Sequence, residues 1–494
     1  MSRIQLLLPL LMWALWHTYR APARIDPWLG LSAYAAALLG VVAIVYVVAG
    51  QVERRIDAGR LLAAGRYHQA LFAARWAVLL LHAGALFFGG LGGLVLRAAP
   101  EWLGAESPAV MLSTLPVLLA WAGLIWTGYR VDRATRERSV LFVLDAGLPV
   151  HAPPTLWQFL SHAVRTQILF TLLPVVLAIG LRDVLLWAVA ALDVRPRPEL
   201  ELALALAPVG VVFLIAPELL RRILPTERLP DSPLREKLEA VCLRLNLRYR
   251  DILLWRTNHA IANAAVMGLV PQVRYVMLTD LLIETLDDGQ IEAVFAHEAG
   301  HVVHRHITWF VVYAVLYFVW LAAFEGLMRT ALIRFTGGYP TPVEVAMGVG
   351  GIVMFFVLLG LLSRGFERQA DLFAARTLSS GRTTPAGAPD AGGVHQFNGA
   401  LLRVAALNNM PLDARQMYRG RNPLARVYTA MVHHAATWLH GSIRARTEYL
   451  EHALYDPAGT RGFDRIMIAL RLVLLLGAVT TTAWVAVAIV RDIR

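Results

Sequence analysis

Two histidines stand four residues apart in the stretch His297-Glu298-Ala299-Gly300-His301, with a glutamate between them. On an α-helix, positions i and i+4 lie on one face about one turn apart, so both imidazoles can converge on a single metal ion. A zinc ion with three protein ligands keeps a fourth position for water, whose pKa it lowers to roughly 7. The carboxylate of Glu298 can take a proton from that water and pass it to a leaving amine. The motif therefore predicts a zinc site with the chemistry of peptide hydrolysis.

The residues around the motif predict that it lies on a helix. Residues 291–306 carry apolar side chains at helical spacing, and acidic and turn residues precede them at 287–289. His304 shares a face with His297, but seven residues rise about 10.5 Å along a helix, which is too far for two ligands of one ion. We therefore interpret His304 and His306 as partners behind the ligands, as interfacial residues or as solvated histidines.

A second acidic pair, Glu367 and Asp371, is also spaced four apart and follows an apolar segment. Glu367 is the best candidate for the third zinc ligand. Asp371 is placed to accept the free N–H of a ligating imidazole, a contact that fixes the tautomer and strengthens the ligand. The alternative is a charged helix on which Glu367, Arg368 and Asp371 make ordinary surface ion pairs.

Several separated motifs together resemble one known family, the integral-membrane zinc metallopeptidases that include the HtpX-type proteases and the CAAX prenyl endopeptidases. The resemblance covers roughly residues 230–455, and its motifs stand in the family's order. They are Asn263-Ala264-Ala265-Val266-Met267-Gly268, the histidine motif with the trailing His306, Glu367 with Asp371, and His440-Gly441-Ser442-Ile443-Arg444-Ala445-Arg446. The last motif departs from the family, because Gly441 stands where the family has proline.

This resemblance implies roles for two further regions. Residues 263–268 would form an edge strand that pairs with an extended substrate backbone through main-chain hydrogen bonds, with Asn263, Ala264 and Gly268 as substrate-binding positions. His440 or Arg446 would stabilise the negative charge that develops on the scissile carbonyl oxygen. For His440, an ordinary surface loop is the alternative.

The composition is that of a membrane protein. Of 494 residues, 57% are hydrophobic and only 16% are charged, and the mean hydropathy is +0.55. Because about 20 apolar residues span a bilayer, we count about nine segments near spanning length: 4–19, 29–48, 76–96, 109–129, 167–192, 200–220, 307–328, 345–362 and 472–490. The first lacks a small-residue cleavage site, so we expect a retained span rather than a signal peptide.

The predicted fold class is therefore predominantly α, a polytopic membrane protein with about nine transmembrane helices. The resemblance adds a cytoplasmic α+β catalytic domain of the zincin type, with a small sheet that carries the edge strand. The expected organisation is 1–221 N-terminal transmembrane helices, 222–306 catalytic segment with the zinc helix, 307–362 transmembrane pair, 363–465 catalytic segment with the third ligand, and 466–494 C-terminal transmembrane helix.

The arginines predict the orientation. The loops after the second and fourth predicted spans are rich in arginine, whereas the loop after the third has one arginine against two glutamates. The positive-inside rule places the basic loops in the cytoplasm, and both halves of the metal site then face the cytoplasm. The abundance of arginine and alanine is typical of a GC-rich bacterial genome, so a bacterial inner membrane is the expected location.

Charge and cysteine content limit the partners. We interpret the formal charge of +11 as orientation and contact with anionic lipid, and we expect no nucleic-acid partner because the basic residues are spread over loops without a recognisable binding fold. Cys242 is the only cysteine, which excludes an intramolecular disulfide and argues against thiolate ligation of zinc. The Gly- and Pro-rich residues 379–393 form either a lid over the substrate or a passive insertion.

The leading hypothesis is an endopeptidase with one Zn²⁺ per chain that cleaves membrane or membrane-proximal proteins, in HtpX-like quality control. One alternative is CAAX-prenyl-protease-like processing of a dedicated substrate, and another is a catalytically inactive binding or scaffolding relative. A metal transporter is disfavoured, because the histidines lie at a helix outside the membrane core.

Overall fold

The structure is a computed structural model, and it describes residues 5, 7–19, 22–99, 106–145, 150–193, 198–336, 341–379, 387–408, 410, 412 and 437–493. Helices dominate these residues, and four short strands form a single sheet. The chain divides into two compact units, residues 1–226 and 227–494. The predicted class, a predominantly α membrane protein with a small sheet, is confirmed. Residues 380–386 of the predicted loop at 379–393 lie outside the described residues.

The described residues of the first unit form helices and no strand before Thr226. They are α1 (Leu8–Tyr19), α2 (Pro27–Asp57), α3 (Ala64–Phe87), α4 (Leu91–Ala98), α5 (Glu106–Asp145), α6 (Leu156–Ala163), α7 (Phe170–Ala191) and α8 (Pro198–Ile223). Asp26 caps α2, since its carboxylate accepts the backbone N–H groups of Trp28 and Leu29. The core lies where α2 packs on α3 and α5, around the fully buried Trp121 and Leu124.

The second unit holds the sheet and the predicted site. Its strands are β1 (Thr226–Arg228), β2 (Asp251–Trp255), β3 (Ala264–Met267) and β4 (Tyr275–Thr279), in the order β1-β2-β4-β3. Its helices are α9 (Pro233–Arg244), α10 (Asp280–Thr285), α11 (Asp288–Val303), α12 (His306–Thr336), α13 (Thr341–Leu378), α14 (Ala391–Leu407), α15 (Ile443–Tyr455) and α16 (Pro457–Ile493). Strand β4 is parallel to β2 and antiparallel to β3, so β3 is an edge strand as expected.

Seven helical segments in the described part of the chain are long and apolar enough to cross a membrane, where nine were predicted. They are Pro27–Asp57, Leu61–Phe87, Ser107–Val140, Leu156–Ala191, His306–Phe335, Ala346–Leu378 and Pro457–Trp484. Of the other two predicted spans, α1 has only 12 residues. The other lies in α8, a helix of 26 residues that contains Pro208 and Pro217 and is not among the seven, so the prediction of nine spans is not confirmed.

Helix α11 carries the histidine motif, and it ends earlier than predicted. The side chain of Asp287 accepts the backbone N–H of Gln290 at 2.8 Å, and the side-chain oxygen of Gln290 accepts the backbone N–H of Asp287 at 3.3 Å, so a capping box starts the helix. The helix stops at Val303 because Arg305 adopts a left-handed conformation, with φ of 55°, which cannot continue the helical hydrogen bonds. His306 therefore begins the next helix, and the predicted continuous helix over 291–306 is wrong at its end.

Small residues bring α11 close to α13. Ala296 and Ala299 are fully buried between the helices of this unit. A Cβ atom on Gly300 would lie 3.1 Å from the Cα atom of Ala370 and 3.1 Å from the ring of Phe373. The glycine inside the motif therefore allows the backbones of α11 and α13 to approach, and this approach places the histidines opposite the acidic pair.

Candidate metal centre and active site

His297, His301 and Glu367 bring their ligand atoms together within 4.8 Å of one another. The Nε2 atoms of the two histidines are 3.2 Å apart. The two carboxylate oxygens of Glu367 face them, with Oε2 at 3.6 Å from Nε2 of His297 and Oε1 at 3.7 Å from Nε2 of His301. Helix α11 supplies the imidazoles and α13 supplies the carboxylate.

The arrangement fits a zinc ion. Ligands at 2.0–2.2 Å in tetrahedral geometry lie about 3.3–3.6 Å from one another, close to the three separations observed. The Oε2 atom of Glu367 is buried and accepts no hydrogen bond from the described residues. A buried carboxylate oxygen without a hydrogen bond is costly, and a metal ion between the three side chains would remove that cost.

Asp371 and Arg446 form a buried pair behind His297. Oδ1 of Asp371 lies 3.0 Å from Nδ1 of His297. Arg446 donates to both carboxylate oxygens, from Nε at 2.9 Å and from Nη2 at 2.6 Å. The third guanidinium nitrogen, Nη1, is 3.5 Å from Oε2 of Glu367. The predicted contact between an acidic side chain and the far nitrogen of a histidine ligand is therefore present in the geometry, and Arg446 holds the acid in place.

Glu298 lies between the metal group and the edge strand. Burial raises the pKa of its carboxyl group, and the charge of His297 and a hydrogen bond with the backbone of Val266 lower that pKa in part. Its carboxyl group therefore interacts with His297 and hydrogen-bonds the backbone of Val266 on β3. A base in this place can reach both a water at the metal and a peptide beside the strand.

His440 reaches the site from the loop before α15. Its Nδ1 lies 2.7 Å from Oε1 of Glu367, and 63% of its side chain is exposed. The hydrogen bond to Glu367 raises the pKa of His440. Gly441 has φ of 75°, a value closed to proline, whose ring fixes φ near −65°. The loop at Gly441 therefore takes a path that a proline at this position would not allow.

Residues 263–268 bring a free strand edge to the site. The backbone N–H of Thr279 donates to the carbonyl of Asn263 at 3.0 Å, and the side chain of Asn263 is exposed. Gly268 closes the strand with φ of 115°, and a Cβ atom there would lie 2.4 Å from the carbonyl oxygen of Val273. Ala264 thus begins β3, and Asn263 and Gly268 flank it, while the backbone of Val266 within β3 hydrogen-bonds Glu298.

The structure also shows contacts behind His301 that sequence reasoning left open. Nδ1 of His306 is 2.9 Å from Nδ1 of His301, and Nε2 of His306 is 3.0 Å from Oε1 of Gln369. Arg471 donates to the same Oε1 at 2.5 Å. The sequence could indicate His306 by its position after the histidine motif. It could not indicate Gln369 and Arg471, because they come from distant helices.

Two cavities border the metal group. One, of about 450 Å³, extends from His301 and Gly268 past Arg274. The other, of about 320 Å³, lies beside Glu367, His440 and Arg446. The group is thus reached by open space on the side of the edge strand and on the side of the His440 loop.

Part of the chain is similar to known proteases. Residues 229–392 match the model of peptidase family M48. The chain is similar to a CAAX prenyl protease 1 homolog of Arabidopsis thaliana, with 28% identity over 337 residues, which are 62% of this chain and 73% of the relative. It is also similar to a protease HtpX homolog of Pyrobaculum aerophilum, with 28% identity over 149 residues, 29% of this chain and 41% of the relative.

A homolog of CAAX prenyl protease 1 from Oryza sativa subsp. japonica is 28% identical over 185 residues, 35% of this chain and 42% of the relative. The crystal structure of S. mikatae Ste24p is 15% identical, with a TM-score of 0.46, and the superposition covers 87% of this chain and all of that one.

A family M48 domain in a chain with seven candidate spans defines an integral-membrane metallopeptidase. Residues 229–392 thus resemble peptidase family M48, and the chain is similar to HtpX and CAAX prenyl protease homologs, the resemblance that the sequence motifs predicted.

Proposed function

We propose that this protein is a zinc-dependent endopeptidase that hydrolyses peptide bonds of membrane or membrane-proximal proteins, with one Zn²⁺ per chain. The observation that carries the proposal is the convergence of His297, His301 and Glu367, whose buried Oε2 accepts no hydrogen bond from the described residues. When bound, zinc supplies a Lewis acid that polarises the scissile carbonyl and makes a water molecule more acidic.

The edge strand would hold the substrate. In an antiparallel pair, the residues that bond the neighbouring strand alternate with residues whose N–H and C=O point away. Asn263 bonds Thr279 on β4, so the backbone groups of Ala264 and Val266 point to the free edge. An extended peptide that pairs there lies beside Glu298, and main-chain bonding makes the affinity independent of most side chains.

Glu298 would act as the general base and then as the general acid. It takes a proton from the attacking water as the carbon–oxygen bond forms at the scissile carbonyl, and it delivers that proton to the nitrogen as the carbon–nitrogen bond breaks. His440, which is exposed and protonated more readily than an ordinary histidine, would donate to the carbonyl oxygen as its charge develops. Arg446 is buried on Asp371, so we assign it to positioning.

The variant Glu298→Gln tests this mechanism. It keeps the side-chain volume but cannot accept a proton, so the purified variant should hold about one zinc per chain and should lose cleavage of a membrane-protein substrate by a factor of at least about 10². Zinc is measured by elemental analysis on the same sample as activity. Wild-type activity in Glu298→Gln would refute the role of Glu298 as general base. A wild-type protein that contains no zinc would refute the proposed metal site.

Two substrate classes fit this site. The sequence prediction is HtpX-like quality control of misfolded membrane proteins. CAAX-prenyl-protease-like processing has a specific observation in its favour, since the match to the Arabidopsis CAAX prenyl protease 1 homolog spans 337 residues against 149 for the HtpX homolog. Membrane proteomes of cells with wild-type protein and with Glu298→Gln separate the two. Many accumulated full-length proteins indicate quality control, and a single accumulated precursor indicates dedicated processing.

We further propose that the site faces the cytoplasm of a bacterial inner membrane, which rests on the arginine-rich loops. Leu243, on α9 of the catalytic unit, is 83% exposed, so Leu243→Cys provides a labelling site. A membrane-impermeant maleimide should label this variant in inverted membrane vesicles and leave it unlabelled in intact spheroplasts. Labelling in spheroplasts alone would place the catalytic unit on the opposite side.

A further inference from the structure

We propose that His306 and Gln369 position the metal ligand His301 by fixing its tautomer, so that its Nε2 lone pair is always directed at the ion. The inference rests on the proposed zinc site, and it assigns a role to two residues behind that site. His306 contacts no other ligand in the described part of the chain, so its effect on the metal passes through His301.

The hydrogen-bond chain can be read from its far end. A guanidinium group donates and never accepts. Nη2 of Arg471 lies 2.5 Å from the side-chain oxygen of Gln369, which fixes the orientation of that amide. The same oxygen lies 3.0 Å from Nε2 of His306. Nε2 of His306 must therefore be the donor in this contact.

The tautomer of His306 determines that of His301. A neutral imidazole that donates from Nε2 has its lone pair on Nδ1. Nδ1 of His306 lies 2.9 Å from Nδ1 of His301, so His301 donates there and its proton is on Nδ1. The lone pair of His301 is then on Nε2, the atom that faces His297 and Glu367. The hydrogen bonds of Arg471 and Gln369 therefore determine, through His306, the tautomer of His301. This tautomer is the one suited to metal binding.

The hydrogen bonds between Gln369, His306 and His301 are buried and shielded from solvent. His306 has no exposed area, and only 6% of Gln369 is exposed. The ring of His306 stacks on Phe366, with centroids 4.3 Å apart and planes at 4°. No solvent replaces the acceptor if it is removed, because the pair is enclosed by the residues around it.

The break between α11 and α12 makes the contact possible. On an uninterrupted helix, a residue five positions after His301 would point about 140° away from it. Arg305 in the left-handed conformation redirects the chain, and His306 starts α12 with its ring against His301. A non-glycine residue in this conformation is uncommon, and here it is found where His301 needs its hydrogen-bond acceptor.

Each histidine ligand thus has its own partner, on α13 for His297 and on α12 for His301. His297 faces the carboxylate of Asp371, and His301 faces the imidazole of His306, which Gln369 orients. Residues that orient metal ligands in this way typically contribute 10–100-fold to metal affinity.

Two substitutions at His306 separate this role from simple packing. His306→Phe keeps a ring against Phe366 but removes the acceptor for His301. His306→Asn removes the ring, but its Oδ1 stands where Nδ1 of the imidazole stands and still accepts. A packing role predicts that the phenylalanine variant resembles wild type and the asparagine variant is damaged. The positioning role predicts the opposite order.

The experiment measures zinc affinity by chelator competition and the visible spectrum of the Co²⁺-substituted full-length protein. We expect His306→Phe to lower zinc affinity about 10–100-fold and to shift the Co²⁺ bands. His306→Asn should remain within about threefold of wild type. His304→Phe is the matched control, because His304 stacks on His306 and touches none of the three proposed metal ligands among the described residues. It should leave the affinity unchanged.

Equal zinc affinity in wild type and His306→Phe would overturn the inference while leaving the zinc site standing. A wild-type protein that binds neither zinc nor cobalt would instead overturn the proposed function. If His306→Phe does not fold, Gln369→Met takes its place. It removes the acceptor of His306 without touching any ligand, and the same direction of change is expected.

Discussion

At the scale of single residues, the site depends on pairs in which one side chain holds another. Asp371 has no exposed area and faces His297, and Arg446 binds both of its oxygens. The Arg446 guanidinium also lies near Glu367. One cation thus balances two buried carboxylates, which would otherwise repel each other in the absence of metal.

The first prediction concerns this cation. Arg446→Met should destabilise the catalytic unit by about 3–5 kcal/mol, because it leaves the Asp371 carboxylate buried without its partner. Zinc affinity should fall with it, since Asp371 no longer holds His297 in position. Thermal unfolding in detergent and chelator competition measure the two effects.

Arg444→Met is the matched control for this variant. Arg444 lies two residues earlier on the same helix and pairs with Glu448 at the surface, a contact worth about 0–1 kcal/mol. Unfolding of Arg446→Met at the temperature of Arg444→Met would contradict the assignment of Arg446 to positioning.

The sequence was informative about residues whose relation is local. The spacing of His297, Glu298 and His301 needs only a helix, and α11 provides it. The contact of His306 with His301 needs a helix break at Arg305, and neither glycine, proline nor asparagine marks this position in the sequence. Gln369 and Arg471 join the site by tertiary packing alone, so no local pattern could identify them.

At the scale of elements, β3 and the α11–α13 pair determine the geometry. The edge position of β3 could be expected from the resemblance, and the sheet order agrees with it. The prediction of nine spans is not confirmed, because seven candidates are found among the described residues. Hydropathy in a short apolar run does not distinguish a spanning helix from a shorter one, as the 12 residues of α1 illustrate.

Gly268 offers a prediction for the edge strand. In Gly268→Ala, the new Cβ atom would meet the carbonyl of Val273 at 2.4 Å in a backbone conformation that L-residues rarely adopt. We expect a loss of stability of about 1–3 kcal/mol and a raised KM for peptide substrates, since the strand end must shift. Zinc content should stay near one per chain, because no ligand lies on β3.

The control for this variant is Gly399→Ala, at an exposed site of α14 where a Cβ atom would meet nothing within 4 Å. It should be neutral or stabilising by up to about 1 kcal/mol. Peptide hydrolysis as a function of substrate concentration, with both variants in parallel, gives the comparison. An unchanged KM in Gly268→Ala would argue against substrate pairing at β3.

At the scale of the whole molecule, Cys242 reports on folding. Burial raises the pKa of its thiol to about 12, so the folded chain keeps it protonated near neutrality. The unfolded thiol has a pKa near 8.5, as in model peptides. The contribution of the buried Cys242 thiol to the free energy of unfolding is therefore fully present below the pKa of the unfolded thiol. It is lost as the pH rises towards the pKa of the folded thiol.

The expected result is that iodoacetamide at pH 8 alkylates Cys242 very slowly in the native protein and rapidly once the second unit unfolds, because the thiolate is the reactive form. Mass spectrometry over time measures the rate. Leu243→Cys, whose added thiol would be exposed, should react at once in the native state. Rapid native alkylation at Cys242 itself would show that the thiol is accessible and its pKa ordinary.

The continuity of α13 has a mechanical consequence. This helix runs without interruption from Thr341 to Leu378, includes the candidate span that starts at Ala346, and carries Glu367 and Asp371. His297 and His301 lie on α11, outside the candidate spans. A helix that spans a bilayer tilts or shifts to match the hydrocarbon thickness, and a stiff helix transmits that movement along its length. We therefore expect the distance between the proposed ligands on α11 and α13 to depend on the thickness of the membrane.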